Sequence, residues 1–176
     1  MPFHAVRFYR DDASLCVWVA RMVGRGLAEN QPAIIVATPQ HRARIVATMS
    51  QSLDVAFLER EGTLLIRDAD EMLSTFMVDG MPDWDLWTKE AVPLIARLSG
   101  PERRTIIAYG EMVDVLVKRG LTEAALRLED CWNYMARAYP MSLMCAYAAD
   151  YVLHDGDVRD ICWRHTHASA DWLIHS

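Results

Sequence analysis

The 176 residues fit a single domain, 1–176, and a hydrophobic content of 52% is enough for a substantial core. A formal net charge of −6 and a pI near 5.5 lack the excess of basic residues that neutralises phosphates, so we expect no direct nucleic-acid partner. No apolar run approaches the length of a membrane span and the N-terminus has no secretory pattern, so we expect a cytoplasmic protein with no membrane partner.

Apolar runs alternate with helical spacings along the chain, which predicts strands that are each followed by helices. The first helix should be capped by Asp12 and end near Gly24 and Gly26, and the helix starting at Asp68 should continue through Phe76. The predicted strands are residues 3–9, 32–37, 63–66, 105–109 and 141–148. The remaining helices should begin at or beside Pro39, Asp83, Glu111, Thr122 and Asp157, and the last should reach His165. This order predicts an α/β fold, a three-layer α/β/α sandwich with a mostly parallel central sheet.

The turn after the first predicted strand lacks the residues that bind phosphate. It reads Arg10-Asp11-Asp12, with no glycine to let backbone amides close on a phosphate and two carboxylates that would repel one. The glycine-spaced Gly24-Arg25-Gly26 lies at a predicted helix end instead of a helix start. We therefore expect no nucleotide cofactor, and no cofactor of any other kind.

The passage from strand to helix at Tyr109-Gly110-Glu111 is the predicted position of a ligand site, since open α/β sheets bind ligands at the carboxyl ends of their strands. Glu111 and Asp114 share one helical face and could bind a polar ligand group or exchange protons. The alternative is structural: Glu111 caps the helix, Asp114 is solvated or paired with an arginine, and Tyr109 is packed in the core.

Glu129 and Asn133 border the predicted buried stripe that contains Trp132, so they could line a pocket for a small, partly apolar molecule. The structural alternative is that Glu129 pairs with an arginine while Trp132 belongs to the core. Both interpretations remain open at this stage.

Cysteine and histidine near the C-terminus form a weak metal motif. Cys162 and His165 are three residues apart on the last predicted helix, and thiol and imidazole groups suit zinc or iron. The candidate additional ligands are His4, Cys145, His154 and His167. We favour the alternative that these are core residues and expect no metal, with Cys145 packed as a small hydrophobe. The four cysteines are dispersed without a CxxC pair, which fits reduced thiols.

Several segments together carry a resemblance to a known family. They are His4-x-x-x-Phe8-Tyr9, the run Ala108-Tyr109-Gly110-Glu111-Met112-Val113-Asp114, Leu128-Glu129-x-x-Trp132-Asn133, Leu143-x-Cys145-Ala146-Tyr147, and Ile161-Cys162-x-x-His165-x-His167. On these segments the chain resembles the MEDS (methanogen/methylotroph, DcmR-type) sensory domains of prokaryotic signalling proteins, over nearly its whole length.

The resemblance implies a RecA/KaiC-like core without a phosphate loop that senses simple hydrocarbon derivatives. We expect a stand-alone sensor that binds a small organic ligand and signals through a partner such as a histidine kinase or a transcription regulator. The expected ligand-binding residues are Phe8, Tyr9, Tyr109, Glu111, Glu129, Trp132, Asn133, Cys145 and Tyr147.

Two alternatives to the sensor remain open from the sequence. One is a ligand-independent interaction module derived from a degenerate ATPase fold, and the less favoured one is a small enzyme that uses Glu111 or Cys145. Tryptophans at 84, 87 and 172 could form a homodimer surface, although tryptophans at helical spacing belong more often to the core.

Overall fold

A six-stranded, wholly parallel sheet lies at the centre of the computed structural model, which describes residues 3–152 and 155–170. The sheet order is β3-β2-β6-β7-β1-β8, and β4 and β5 form a separate antiparallel hairpin. The strands are β1 Phe3–Tyr9, β2 Ala33–Ala37, β3 Leu64–Asp68, β4 Met77–Val78, β5 Met81–Pro82, β6 Ile106–Gly110, β7 Met141–Ala148 and β8 His167–Ala170. The helices are α1 Asp12–Ala28, α2 Pro39–Met49, α3 Val55–Arg60, α4 Ala69–Ser74, α5 Trp84–Ser99, α6 Met112–Lys118, α7 Thr122–Ala138 and α8 Asp155–Trp163.

The sheet separates two apolar cores, because successive side chains of a strand point to opposite faces. In β1, Val6 and Phe8 pack in the core that contains apolar residues of α5, α6 and α7. Ala5 and Tyr9 pack on the other face with residues of α1, α2 and α3. Helices therefore cover both faces of a parallel sheet, which confirms the predicted three-layer sandwich.

Helix α1 departs from the prediction at both ends. The N-cap is Asp11, whose carboxylate accepts the backbone N–H of Ser14 at 2.7 Å, and Asp12 is the first helical residue. The helix continues past both glycines to Ala28. Gly26 is needed inside it for a close approach: a Cβ there would lie 2.4 Å from Ile107 Cγ1 of β6. The glycine marks helix-to-sheet packing and not a helix end.

The segment after β3 holds a hairpin that the sequence did not predict. Helix α4 ends at Ser74, so Phe76 is not helical, although it is fully buried in the core. Asp79 and Gly80 have φ angles of 48° and 80° and form the turn between β4 and β5. Asp83 then caps α5 by accepting the N–H of Leu86, as predicted.

The C-terminal part of the described chain adds a strand where none was predicted. Helix α8 ends at Trp163, so His165 lies beyond the helix that was expected to carry it. The following β8 pairs in parallel with the outer side of β1, and Thr166 hydrogen-bonds to both backbone groups of His4. His154 and Trp172, which the sequence analysis also considered, lie outside the described residues.

Trp87 is fully buried and packs against Trp84 and Trp132, which supports the core interpretation of this tryptophan. Across the described residues, no helix is both long and apolar enough to cross a membrane.

Candidate functional site

A cluster of buried polar side chains lies where β1 and β6 end. We call Tyr9, His41, Tyr109, Glu111 and Asp114 the carboxyl-edge cluster, and each of them is at most 5% exposed. Tyr9 is the last residue of β1, Tyr109 belongs to β6, and Glu111 and Asp114 begin α6. His41 comes from the first turn of α2. The ends of β1 and β6, which lie on either side of β7, thus bring five polar groups together, as expected for this edge of such a sheet.

Glu111 is the centre of this cluster. Its Oε2 accepts hydrogen bonds from the N–H and the hydroxyl of Thr38, at 2.9 and 3.1 Å. Its Oε1 lies 2.7 Å from His41 Nδ1 and accepts the Tyr109 hydroxyl at 2.8 Å. Glu111 occupies the N-cap position of α6, but its side chain makes no capping bond. The carboxylate instead joins α2 to the end of β6.

The charge of Glu111 changes the acid–base behaviour of its neighbours. Burial by itself opposes protonation of His41, but its bonds to Glu111 and Asp12 raise the pKa of the imidazole above the ordinary histidine value. His41 Nε2 lies 3.3 Å from Asp12 Oδ1, so a protonated ring would bridge two carboxylates. Burial, followed by the Glu111 charge, raises the pKa of the Tyr109 hydroxyl well above its usual value.

Asp114 is buried, which makes the expected solvated or arginine-paired position wrong. Its Oδ2 accepts the Tyr9 hydroxyl and lies 2.8 Å from Lys118 Nζ, one helical turn later. Its Oδ1 accepts the backbone N–H of Ala148, at the end of β7, at 2.7 Å. The side chain of Lys118 is 34% exposed, and its ammonium group also donates to the Tyr9 hydroxyl at 3.0 Å. Asp114 therefore connects α6 with the ends of β1 and β7.

A second polar cluster lies in the opposite core, between the sheet and α7. We call His4, Glu129, Cys145 and His165 the imidazole–thiol cluster. The side chains of His4 and Glu129 are 2% and 0% exposed, and that of His165 is 0% exposed. One donor atom from each residue lies within 4.8 Å of the donor atoms of the other three. Within the described residues these four side chains have the spacing and chemistry to hold a metal ion.

Glu129 is surrounded by groups that favour its carboxylate form. Its Oε1 accepts the Tyr147 hydroxyl at 2.8 Å, and the Cys145 thiol donates to Oε2 at 3.3 Å. Burial alone would raise the pKa of this carboxyl, but the adjacent imidazoles of His165 and His4 lower it below the usual range. The suggestion that Glu129 pairs with an arginine is wrong, because the basic side chains beside its carboxylate are those of His4 and His165.

The nine expected ligand-binding residues separate into two groups. Tyr9, Tyr109 and Glu111 belong to the carboxyl-edge cluster, whereas Glu129, Cys145 and Tyr147 meet in the opposite core. Asn133 contacts His4 in that second group, and Phe8 and Trp132 pack in the same core. The sheet lies between the groups, so a single crevice does not contain both.

Two of the metal candidates lie away from the imidazole–thiol cluster. Cys162 is half-buried against apolar residues, and His167 is exposed beside Thr166 and Phe3. Of the six histidine and cysteine candidates weighed for the metal, His4, Cys145 and His165 are brought together, and Glu129 completes the group.

His41 and Lys118 contact the carboxylates of the carboxyl-edge cluster but were not predicted from the sequence. A usable signal existed for His41, which is the third residue of a helix that directly follows a buried strand, so its side chain faces the same edge as Glu111. Lys118 carried the weaker signal of an i,i+4 position relative to Asp114.

Five cavities of the described surface lie away from both clusters. Their volumes run from about 60 to about 540 Å³, and none is lined by an expected ligand-binding residue. Because every residue of the carboxyl-edge cluster is at most 5% exposed, that cluster is closed to solvent.

The amino-acid sequence of the chain is similar to one known protein family. Residues 3–166 match the family model described as MEDS, the methanogen/methylotroph, DcmR sensory domain. No curated protein matches the chain. The matched segment includes both clusters, from His4 to His165. Because the match covers nearly the whole chain, the protein belongs to the MEDS family of sensory domains.

Proposed function

We propose that this sensory domain binds a simple hydrocarbon derivative with a polar head, such as a short alcohol or amine, at the carboxyl-edge cluster. The response would pass to a partner protein, either a histidine kinase or a transcription regulator. The observation that carries the proposal is the hydrogen-bonded connection of four chain segments through Glu111 and Asp114, in a family of sensory domains.

The chemistry of the cluster suits such a ligand. In an opened form, the carboxylates of Glu111 and Asp114 would exchange protein donors for the hydroxyl or ammonium group of the ligand, while tyrosine rings provide apolar surface beside them. Lys118 lies at the outer side of the cluster, with its ammonium group near the rings of Tyr9 and Tyr151. Tyr151 is 52% exposed, so movement of these two side chains would open a path to Asp114.

Signalling then follows from a shift between conformations. The cluster is closed, so a ligand that binds an opened form stabilises that form and raises its population. Opening separates groups that connect α2, α6 and the ends of β1 and β7. A change at the ligand therefore alters the relative positions of surface helices, which a partner protein can recognise.

Nucleotide binding is not part of the proposal. The turn after β1 contains only Arg10 and Asp11 before α1 begins, and the Asp11 carboxylate already accepts the Ser14 N–H. The Asp11 carboxylate thus occupies the N-terminus of α1, where a phosphate would need free backbone N–H groups. Isothermal titration with ATP should give no binding heat.

Catalysis is also not proposed. A nucleophilic Cys145 would need a thiolate, but burial and the neighbouring Glu129 charge raise its pKa well above the ordinary value. The Glu111 oxygens accept four protein hydrogen bonds, which leaves little capacity for proton exchange with a substrate.

Thermal unfolding with a panel of short alcohols, amines and halocarbons tests the sensor. A ligand at about 100 times its Kd stabilises the folded state by about 2.7 kcal/mol, which raises Tm by roughly 5–10 °C in a chain of this size. Asp114→Asn should reduce the shift for the active compound. Tyr134→Phe, a change at a half-exposed position on α7, should leave it intact. A panel without any shift would refute the proposal.

The closed packing of both clusters also favours a second candidate, the ligand-independent interaction module. A partner captured by the full chain decides between the two, through its Kd measured with and without the panel. A Kd that no compound changes supports the module, while a compound that changes it and also raises Tm supports the sensor.

A further inference from the structure

We propose that His4, Glu129, Cys145 and His165 bind one divalent transition-metal ion, and that zinc suits their donor atoms best. This departs from the expectation of no metal. It keeps His4, Cys145 and His165 from the candidates that the sequence offered, leaves out Cys162 and His167, and adds Glu129. Imidazole, thiolate and carboxylate are the three ligand types of protein zinc sites.

Three of the donor atoms are spaced like the corners of one face of a coordination tetrahedron, and the fourth, on His165, lies within 4.8 Å of each of them. His4 Nε2 lies 3.2 Å from Glu129 Oε2 and 3.3 Å from Cys145 Sγ. Cys145 Sγ lies 3.3 Å from Glu129 Oε2, and His165 Nε2 lies 3.3 Å from Glu129 Oε1. Zinc bonds of about 2.0–2.3 Å in tetrahedral geometry place neighbouring ligand atoms about 3.3–3.6 Å apart. Small side-chain movements would therefore close the four donors around one ion.

Both imidazoles are held in the orientation that a metal requires. His165 Nδ1 lies 2.7 Å from the carbonyl oxygen of Ile161, which only accepts, so Nδ1 carries a proton. His4 Nδ1 lies 3.0 Å from Asn133 Oδ1, and the Asn133 amide in turn donates to the Arg164 carbonyl. In the neutral tautomers fixed by these bonds, each Nε2 has a free lone pair directed into the cluster. Protein zinc sites hold their histidines in this manner.

His165 provides an independent sign of a missing ligand. Its buried Nε2 makes no hydrogen bond of good geometry among the described residues, and Glu129 Oε1, 3.3 Å away, satisfies it only when the ring is protonated. Buried polar atoms are nearly always satisfied, so an unsatisfied nitrogen that faces a thiol, a carboxylate and a second imidazole calls for an explanation. A metal ion bound to the lone pair supplies one.

The charges also balance. A divalent ion with one thiolate, one carboxylate and two neutral imidazoles has no net charge, which suits a fully buried site. Without the metal, Glu129 remains as a buried carboxylate that needs a protonated histidine for compensation. That metal-free state is a buried ion pair with the Cys145 thiol as a hydrogen-bond donor, and the experiment below separates it from the metal site.

Four protein ligands describe a closed, structural site. The ligands come from β1, β7, α7 and the segment between α8 and β8. The ion would therefore fasten the last described strand to the first one and to α7. Its removal should loosen β8 before the rest of the sheet.

Cobalt substitution of the full chain is the direct test. Chelator-treated, reduced protein is titrated with Co²⁺, and we expect one ion per chain, tetrahedral d–d absorption and a thiolate-to-cobalt charge-transfer band. Zinc should then displace the cobalt. Cys145→Ser should lose the charge-transfer band, whereas Cys131→Ser should keep it, because Cys131 is a buried thiol on α7 outside the cluster.

The wild-type spectrum decides the question even when Cys145→Ser does not fold. Wild-type protein that takes up no Co²⁺ or Zn²⁺, or that binds cobalt without a thiolate band, would overturn the proposal in favour of the metal-free ion pair. A charge-transfer band that survives in Cys145→Ser would overturn it as well. As a second readout, amide exchange in residues 164–170 should accelerate on metal removal, and unchanged exchange would contradict the proposed position of the ion.

Discussion

Replacing Glu111 with glutamine removes a charge while keeping the shape of the side chain. The carboxylate now accepts two donors on each oxygen: the two Thr38 groups on Oε2, and His41 and Tyr109 on Oε1. A glutamine has one acceptor oxygen, so one of these pairs would face its NH₂ group. Two hydrogen bonds to a charged group are lost at about 1.5–3 kcal/mol each, which predicts a destabilisation of about 3–6 kcal/mol.

Urea unfolding followed by circular dichroism measures this loss in the free energy of unfolding. The matched control is Glu102→Gln, since Glu102 is exposed in the turn before β6, and we expect its effect to stay within about 0.5 kcal/mol. The predicted loss is a large fraction of the roughly 5–15 kcal/mol typical of a domain, so the midpoint should move clearly. If Glu111→Gln cost no more than the control at equal m-values, the carboxylate would not be holding α2 to the end of β6.

Two further predictions concern His41 and the glycines of α1. Because the folded-state pKa of His41 is raised, its bond to Glu111 should stabilise the protein fully below about pH 6.5 and lose effect as pH rises through that raised pKa. The difference in unfolding free energy between wild type and His41→Gln should shrink with rising pH, and a constant difference would contradict this account. Gly26→Ala should destabilise by about 1–3 kcal/mol through its clash with Ile107. Gly24→Ala should instead stabilise the folded protein by about 0.5–1 kcal/mol, because glycine is unfavourable inside a helix and a Cβ at this position meets only an ordinary contact. Thermal unfolding measures both changes, and equal effects of the two would refute the packing argument.

The parts of the fold that the sequence predicted are those with strong local signals. Strands β1 and β7 have the predicted bounds, since β1 contains three aromatic residues and a valine and β7 is a mostly apolar run of eight residues. Strand β8, His-Ala-Ser-Ala, has no such pattern, and it forms because β1 offers it an unpaired edge. Phe76 extended the apolar spacing of α4 but belongs to the turn that follows.

The candidate site was harder to predict, because tertiary contacts decide which polar side chains are buried. Asp114 looked like a surface residue, and only the end of β7, the Tyr9 hydroxyl and Lys118 make its burial tolerable. Glu129 and Cys145 are separated along the chain from His4 by most of its length. Their spacing along the chain gives no sign of this contact, because these residues meet only when the strands assemble into the sheet.

The pairing of β1 has a consequence for how the chain folds. Phe3 pairs with Ser142 and Ala5 with His167, so both neighbours of the first strand are synthesised long after that strand itself. Closing such long loops is entropically costly and slows folding. Strand β1 therefore stays unpaired, on the ribosome or bound to a chaperone, until β7 and β8 have emerged from the ribosome. Nascent chains that stop before β7 leave that strand without a partner, which makes them targets for aggregation and proteolysis.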